Sequence, residues 1–170
     1  MKVETSQVTK IHISNIEGIE PITVILEDLG QSSGKLIVKC SYEVWTCHLA
    51  WEEESSFIET ISSMNVEYLQ AYLSGSEQFI IDGEKVQSDI LHLRRNKKLD
   101  RITARKLYSV SFKQFVCIWL AENEKLIARI YGGAHHAVPH RDNWHYLYER
   151  KIFQAVKDGI ASFCHDKEAA

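Results

Sequence analysis

The chain has 170 residues, of which 45% are hydrophobic and 25% charged, and its formal net charge at pH 7 is −3. This balance is typical of one globular domain that buries a core without disulfides or metal ions. No apolar run approaches the roughly 20 residues that span a bilayer, and the first residues lack the apolar segment of a signal peptide. We therefore expect a single cytoplasmic domain over 1–170, frayed at 1–7 and 165–170, with no membrane contact.

The small net charge hides an uneven distribution along the chain. Residues 1–93 carry 5 basic and 15 acidic side chains, a balance of −10, whereas residues 94–170 carry 15 basic and 8 acidic ones, a balance of +7. Such polarity can steer a charged partner or be neutralised inside the fold. It can also join copies of the chain, so a homo-oligomer through charge-complementary faces is one alternative.

The first 51 residues have the composition of β-structure. Four segments rich in β-branched and aromatic residues are VTKIHIS, PITVILEDL, KLIVKCS and EVWTCHLAW. Small residues at 30–34 favour a turn, and residues 41–43 turn the chain before the last segment. This pattern predicts an antiparallel sheet of three to four strands.

From residue 55 onward the apolar residues recur with a helical period. N-cap residues precede five of these segments: Ser55 or Ser56, Asn65, Asp82, Asp100, and Asp142 or Asn143. A further helical segment, 112–133, is expected to break near Asn123 and to end at Gly132-Gly133. Strands first and helices after predict an α+β fold, with five to six helices packed on one face of the sheet.

The same periodicity predicts which side chains face the core. Those expected to face inward include Tyr68, Tyr72, Ile102, Tyr108 and Trp144. In the last helix Phe153 lies off the stripe formed by Ile152, Val156 and Ile160. We therefore expect Phe153 to be exposed or to lie at an interface.

The segment YGGAHHAVPHRDNWHY, residues 131–146, holds four of the eight histidines: His135, His136, His140 and His145. Imidazole binds zinc near neutral pH, so these four are a weak alternative for a metal site. No H-E-x-x-H motif holds them on a defined element, and two glycines and a proline indicate a polar loop. We predict no cofactor or metal here, and a contact surface made of His135, His136, His140, Arg141 and Phe153.

The run RRNKKLDRITARK, residues 94–106, has seven basic residues: Arg94, Arg95, Lys97, Lys98, Arg101, Arg105 and Lys106. Such positive density can neutralise phosphates, so nucleic-acid binding is an alternative function. Helices on either side of 96–99 would resemble a helix-turn-helix, although the turn has no glycine. The other interpretation is the solvated face of helices that pack in the core.

Motifs for nucleophilic or phosphate chemistry are absent from the sequence, which has no G-x-S-x-G and no Walker loop. Cys47 and His48 are neighbours on a predicted strand and would point to opposite faces, which argues against a Cys–His dyad. We therefore favour a non-enzymatic protein. A metal-dependent enzyme that uses residues 135–145 is a second alternative.

Four stretches carry a resemblance to known proteins: ISNIEGIEPITVILEDLGQSSGKL, NVEYLQAYL, LRRNKKLDRITARKLY and DNWHYLYERKIFQAV. Together they resemble small accessory proteins of lambda-like temperate phages and enterobacterial prophages, whose function is unassigned. The resemblance implies that the protein acts in the cytoplasm of a bacterial host. It assigns no role to any residue. Phage proteins of this size commonly bind and redirect host components, including defence systems. We therefore expect a non-enzymatic accessory protein that binds a host protein.

Overall fold

A computed structural model describes residues 8–30, 32–51, 55–112 and 115–168, with side chains described as far as residue 164. The chain divides into two compact units, unit 1 with residues 1–76 and 145–170, and unit 2 with residues 77–144. The end at 1–7 that was expected to fray lies outside the described residues, whereas the backbone of 165–168 continues the last helix. The single domain over 1–170 stays a prediction.

The elements follow one another as strands, helices and one short second sheet. Their bounds in chain order are β1 (Val8–Ile13), β2 (Ile22–Gly30), β3 (Ser33–Cys40), β4 (Glu43–Ala50), α1 (Phe57–Ser63), α2 (Val66–Leu73), β5 (Phe79–Ile81), α3 (Gly83–Arg95), α4 (Arg101–Tyr108), α5 (Val116–Glu122), α6 (Glu124–Tyr131), β6 (His140–Asp142) and α7 (Trp144–Glu168). The α+β class is confirmed. No described helix combines the length and the apolarity that crossing a membrane requires.

The sheet of unit 1 is an antiparallel meander with the strand order β1-β2-β3-β4. Its register places Ile11 beside Val24, Val24 beside Val38, and Val38 beside Trp45. Because side chains alternate between the faces of a sheet, these four residues share the face that builds the core. The four strands match the upper of the two predicted numbers.

The described residues form seven helices where five to six were predicted, and three of them contribute to the core of the sheet, namely α1, α2 and α7. Ser56 and Glu59 form the capping box that starts α1, and Asn65 caps α2 as predicted. The inward orientation predicted for Tyr68 and Tyr72 is wrong, since their side chains are 67% and 57% exposed. The buried stripe of α2 runs instead through Val66, Leu69 and Leu73, which recur at steps of three and four.

Phe153 is fully buried, so the prediction of its exposure is wrong. Its ring meets the ring of Trp45 edge to face, with 5.3 Å between centroids. Ile152 and Phe153 are both buried, which shows that the buried face of α7 is wider than the stripe that steps of three and four describe. A fully buried ring has no surface for a partner, so Phe153 cannot be part of the predicted contact surface. The inward orientation of Trp144 is also wrong, because 79% of it is exposed.

Unit 2 has a core of its own, built from β5, α3, α4, α5, α6 and the segment before β6. The buried residues of this core are Ile81, Val86, Ile90, Leu99, Ala104, Trp119, Leu126, Ile127 and Val138. Asp82 and Asp100 cap α3 and α4 as predicted, and Asn123 separates α5 from α6. The inward orientation of Ile102 and Tyr108 is wrong, since both are exposed.

Replacing Phe153 with alanine tests the corrected orientation of α7. Removing a fully buried phenylalanine should lower the free energy of unfolding by about 3–5 kcal/mol, because transfer and cavity terms add. The matched substitution Phe115→Ala removes an exposed ring and should cost less than about 1 kcal/mol. Urea unfolding followed by tryptophan fluorescence measures both variants. Similar losses for the two variants would contradict the assigned orientation.

Candidate functional site

One face of α4 in unit 2 is exposed and strongly basic. Its side chains, at steps of one, three and four, are Arg101, Ile102, Arg105, Lys106 and Ser109. The opposite side is held inward by the buried Ala104 and the half-buried Leu107. Asp100 accepts hydrogen bonds from the backbone N–H groups of Ile102 and Thr103, each at 2.9 Å, which fixes the start of the helix. A hydrogen bond from the Thr103 hydroxyl lowers the pKa of the Asp100 carboxyl.

Two depressions adjoin this face of α4. The first has a volume of about 570 Å³ and is lined by Arg101, Ile102, Arg105, Lys106 and Ser109. The second has about 430 Å³ and is lined by Thr103, Lys106, Leu107, Lys125, Ala128 and Arg129. Lys106 borders both, and the described residues of the two linings include no acidic side chain. We call the cations of the two linings the basic surface: Arg101, Arg105, Lys106, Lys125 and Arg129.

The cations of the basic surface take no part in the ion pairs found among the described residues. The contrast is with α3, where Lys85 Nζ lies 3.0 Å from Asp89 Oδ1 four residues later. After its cap, α4 has no acidic residue that could pair with its cations at such a spacing. Within the described parts of the chain, the cations of the basic surface therefore have no acidic side chain at ion-pair distance.

The predicted basic run is split by the structure. Arg101, Arg105 and Lys106 belong to the basic surface. The other four predicted cations are exposed at the end of α3 and in the following turn, and they line neither depression: Arg94, Arg95, Lys97 and Lys98. The sequence did not indicate Lys125 and Arg129, which stand four residues apart on α6. The packing of unit 2 places them beside Lys106 in the second depression.

Helices α3 and α4 pack together and are joined by a tight turn. Asn96 ends α3 and Asp100 caps α4, which leaves residues 97–99 between the two caps. Lys97 has a φ of 57°, the left-handed conformation that glycine ordinarily supplies. Leu99 is buried in the core of the unit and anchors the turn. The lack of a glycine therefore does not exclude a helix-turn-helix arrangement here.

The predicted histidine loop contains two short regular elements, which cover six of the twelve residues from 132 to 143. A 3-10 turn covers His135–Ala137, and β6 pairs with β5 so that Arg141 lies opposite Ile80. Three residues are too few for a strand pattern to be recognised in the sequence. The side chains predicted to bind a partner are exposed here: His135, His136, His140 and Arg141. Their contact with a partner stays a prediction.

Unit 1 contains a polar cluster that the sequence did not indicate, centred on the carboxylate of Glu149, which is 1% exposed. Its Oε1 accepts a hydrogen bond from Trp45 Nε1 at 3.1 Å, and its Oε2 accepts one from the Ser76 hydroxyl. Gln70 Nε2 lies 3.5 Å from the same Oε2 and donates to the Tyr146 carbonyl at 2.9 Å. These partners come from three separate parts of the sequence.

His145 precedes Glu149 by one turn of α7, with 3.1 Å between its Nε2 and Glu149 Oε1. Within the described residues, one group of side chains could hold a metal ion: Glu43, His145 and Glu149, whose ligand atoms all lie within 4.8 Å of one another. Of the four histidines in the weak metal alternative, His145 is the member of this group. A metal-dependent activity of residues 135–145 stays a prediction.

The Cys47–His48 pair has the arrangement expected from its strand. Cys47 is buried in the core and His48 is exposed, as alternation along β4 requires. Burial raises the pKa of the Cys47 thiol to about 11, so the thiol is protonated at neutral pH. A protonated thiol that faces away from its histidine is a poor nucleophile.

Comparison with known proteins identifies the chain by family. A family model described as a phage family, Phage_phiTE_072, matches residues 1–162. No curated protein and no solved structure matches the chain. The expected association with phages is thereby confirmed, while the narrower placement among lambda-like phages and enterobacterial prophages stays a prediction. The chain belongs to the phage family Phage_phiTE_072.

Proposed function

We propose that this phage protein binds nucleic acid through the basic surface of unit 2, with α4 as the main contact helix. The observation that supports this most is a set of five cations around two adjoining depressions. None of the five forms an ion pair with a described residue, and no described residue of the two linings is acidic. Phosphates replace the solvent ions that such a surface collects, and the released ions favour binding. The proposed site therefore differs from the run predicted at residues 94–106. It keeps the cations of α4 and adds those of α6.

The charge of the whole unit is consistent with this proposal. Residues 77–144 contain 12 lysines and arginines against 8 acidic residues, a balance of +4, whereas residues of unit 1 contain 8 against 15, a balance of −7. A locally positive unit in an acidic chain can attract a polyanion while the protein as a whole stays soluble. Association of copies through these opposite charges remains a prediction.

The chemistry of the linings favours the backbone of a duplex over unpaired bases. Single-stranded nucleic acid is usually held by aromatic rings on which bases stack, and none of the described residues that line the two depressions is aromatic. Guanidinium and ammonium groups along a helix suit phosphates instead. A tight turn joins α3 to α4, and in helix-turn-helix proteins the helix after such a turn enters the major groove. Duplex DNA is therefore the proposed ligand.

The salt dependence of binding tests the proposal. The double variant Arg105→Gln/Lys106→Gln should weaken binding to a short random-sequence duplex and lower the slope of log affinity against log salt by about 2, since each phosphate contact contributes about 1. Fluorescence anisotropy at several salt concentrations measures both quantities. A control variant, Lys10→Gln/Lys151→Gln, removes two exposed lysines of unit 1 and should bind as the wild type does. Equal slopes in the two variants would reject the basic surface as the binding site.

A second candidate function is the one expected from the sequence, binding of a host protein. It is favoured by Tyr68 and Tyr72, which stand one turn apart on α2 and are both exposed. Tyrosine is enriched at the energetic centres of protein interfaces, and two rings at this spacing form a continuous apolar strip on a helix. This strip belongs to unit 1 and is independent of the basic surface.

Capture from nuclease-treated bacterial lysate separates the two functions. If the second candidate is right, the wild type retains one stoichiometric host protein, and Tyr68→Ser/Tyr72→Ser loses it because the anchoring rings are gone. Tyr42→Ser, at a fully exposed turn position, is the matched control and should retain the partner. Mass spectrometry identifies and quantifies the captured protein. Capture that is unaffected by the double substitution would exclude α2 as the docking helix.

A further inference from the structure

We propose that Glu43, His145 and Glu149 of unit 1 form a binding site for one divalent transition-metal ion of the zinc type. The proposal does not depend on nucleic-acid binding, because none of the three residues belongs to the basic surface. It concerns a different set of residues from the one predicted in the histidine-rich segment, with which it shares His145 alone.

The three side chains are brought together by two elements of unit 1. Glu43 opens β4 directly after the turn at Ser41, whose φ of 52° reverses the chain, and it shares the core side of that strand with Trp45. His145 and Glu149 stand one turn apart on α7. Their ligand atoms all lie within 4.8 Å of one another, and His145 Nε2 lies 3.1 Å from Glu149 Oε1. Ligands of a tetrahedral ion with bonds of about 2.0–2.1 Å stand roughly 3.4 Å apart, which a rotation of the exposed Glu43 side chain can satisfy.

The charge of the cluster supports a cation at this position. Glu149 is buried, and apart from His145 the partners of its carboxylate are neutral donors, from Trp45, Ser76 and Gln70. A positive charge beside a buried carboxylate stabilises it. A metal ion between Glu43, His145 and Glu149 would supply that charge, and the imidazole would coordinate it in the neutral form.

The surroundings of Glu149 already resemble an outer shell of a metal site. Trp45 Nε1 donates to Oε1, and the Ser76 hydroxyl donates to Oε2, so the carboxylate is held in one orientation. The Gln70 amide lies beside Oε2, and its own carbonyl oxygen is buried with no hydrogen-bond partner. Three protein ligands leave a coordination position for water.

The ligand set selects the class of ion. Two carboxylates alone would suit magnesium or calcium, whereas the imidazole of His145 favours zinc and neighbouring transition metals. A bound ion would tie the β3–β4 turn to the first turn of α7. Zinc should therefore bind with a higher affinity than magnesium and should raise the thermal stability of the full chain.

Titration of zinc sulfate into untagged, chelator-treated protein tests the site by calorimetry. The wild type should bind one equivalent, and Glu43→Gln and His145→Gln should each weaken binding by more than about tenfold, since even loss of an outer-shell partner can cost that much. Both substitutions change exposed side chains, so the variants are expected to fold, and circular dichroism checks this. The d–d absorption of added cobalt should appear in the wild type and disappear in the His145 variant.

Matched controls distinguish this site from adventitious binding by other histidines. Glu17→Gln and the double variant His135→Gln/His136→Gln change exposed residues outside the group and should bind zinc as the wild type does. The proposal is overturned if the wild type binds no stoichiometric zinc, or if the two ligand variants bind it unchanged. It is equally overturned if the His135/His136 variant loses binding, or if magnesium binds as tightly as zinc.

Discussion

The carboxylate of Glu149 is buried on the face of α7 that also carries Ile152 and Phe153, and packing this face against the sheet leaves the carboxylate dependent on protein donors for its hydrogen bonds. The donors come from Trp45 on β4, Ser76 after α2 and Gln70 on α2. An unmade bond to a buried charge costs more than an ordinary contact contributes, so these segments are held at one place. This explains how unit 1 is built from both ends of the chain, and apolar contacts such as that between Trp45 and Phe153 fill the space around the cluster.

In unit 2, acidic groups form hydrogen bonds within the fold, whereas cations on the surface lack ion-pair partners among the described residues. Tyr131 donates a hydrogen bond to Asp89 at 2.9 Å, and Glu77 accepts one from the backbone of Val116 at 2.7 Å, so two acidic groups of the unit serve internal structure. The cations of α4 and α6 have no such partners among the described residues. Charges that a fold does not use are available to a ligand, and this is the physical basis for proposing nucleic-acid binding at the basic surface.

Much of the fold was predictable because its signals are local. The caps Ser56, Asn65, Asp82 and Asp100 each start a helix where the sequence places one, and the four strands follow the composition of the first 51 residues. The direction in which each helix faces the core was less predictable. The tyrosines of α2 and Ile102 of α4 are apolar enough to suggest burial, but Leu69 and Ala104 on these helices are the buried residues. The predicted exposure of Phe153 was wrong for a different reason. When a helix is covered over a broad face, adjacent positions such as Ile152 and Phe153 are both buried.

The candidate sites were only partly predictable, because they depend on tertiary contacts. Three of the five cations of the basic surface lie in one run, but Lys125 and Arg129 join them through the packing of unit 2, and no local pattern links Trp45, Gln70 and Glu149. Lysine acetylation with and without a DNA duplex, quantified by mass spectrometry, tests whether the basic surface binds DNA. The duplex should protect Lys106 and Lys125, while Lys10 and Lys151 should react as before. Unchanged labelling of Lys106 and Lys125 in the presence of the duplex would contradict it.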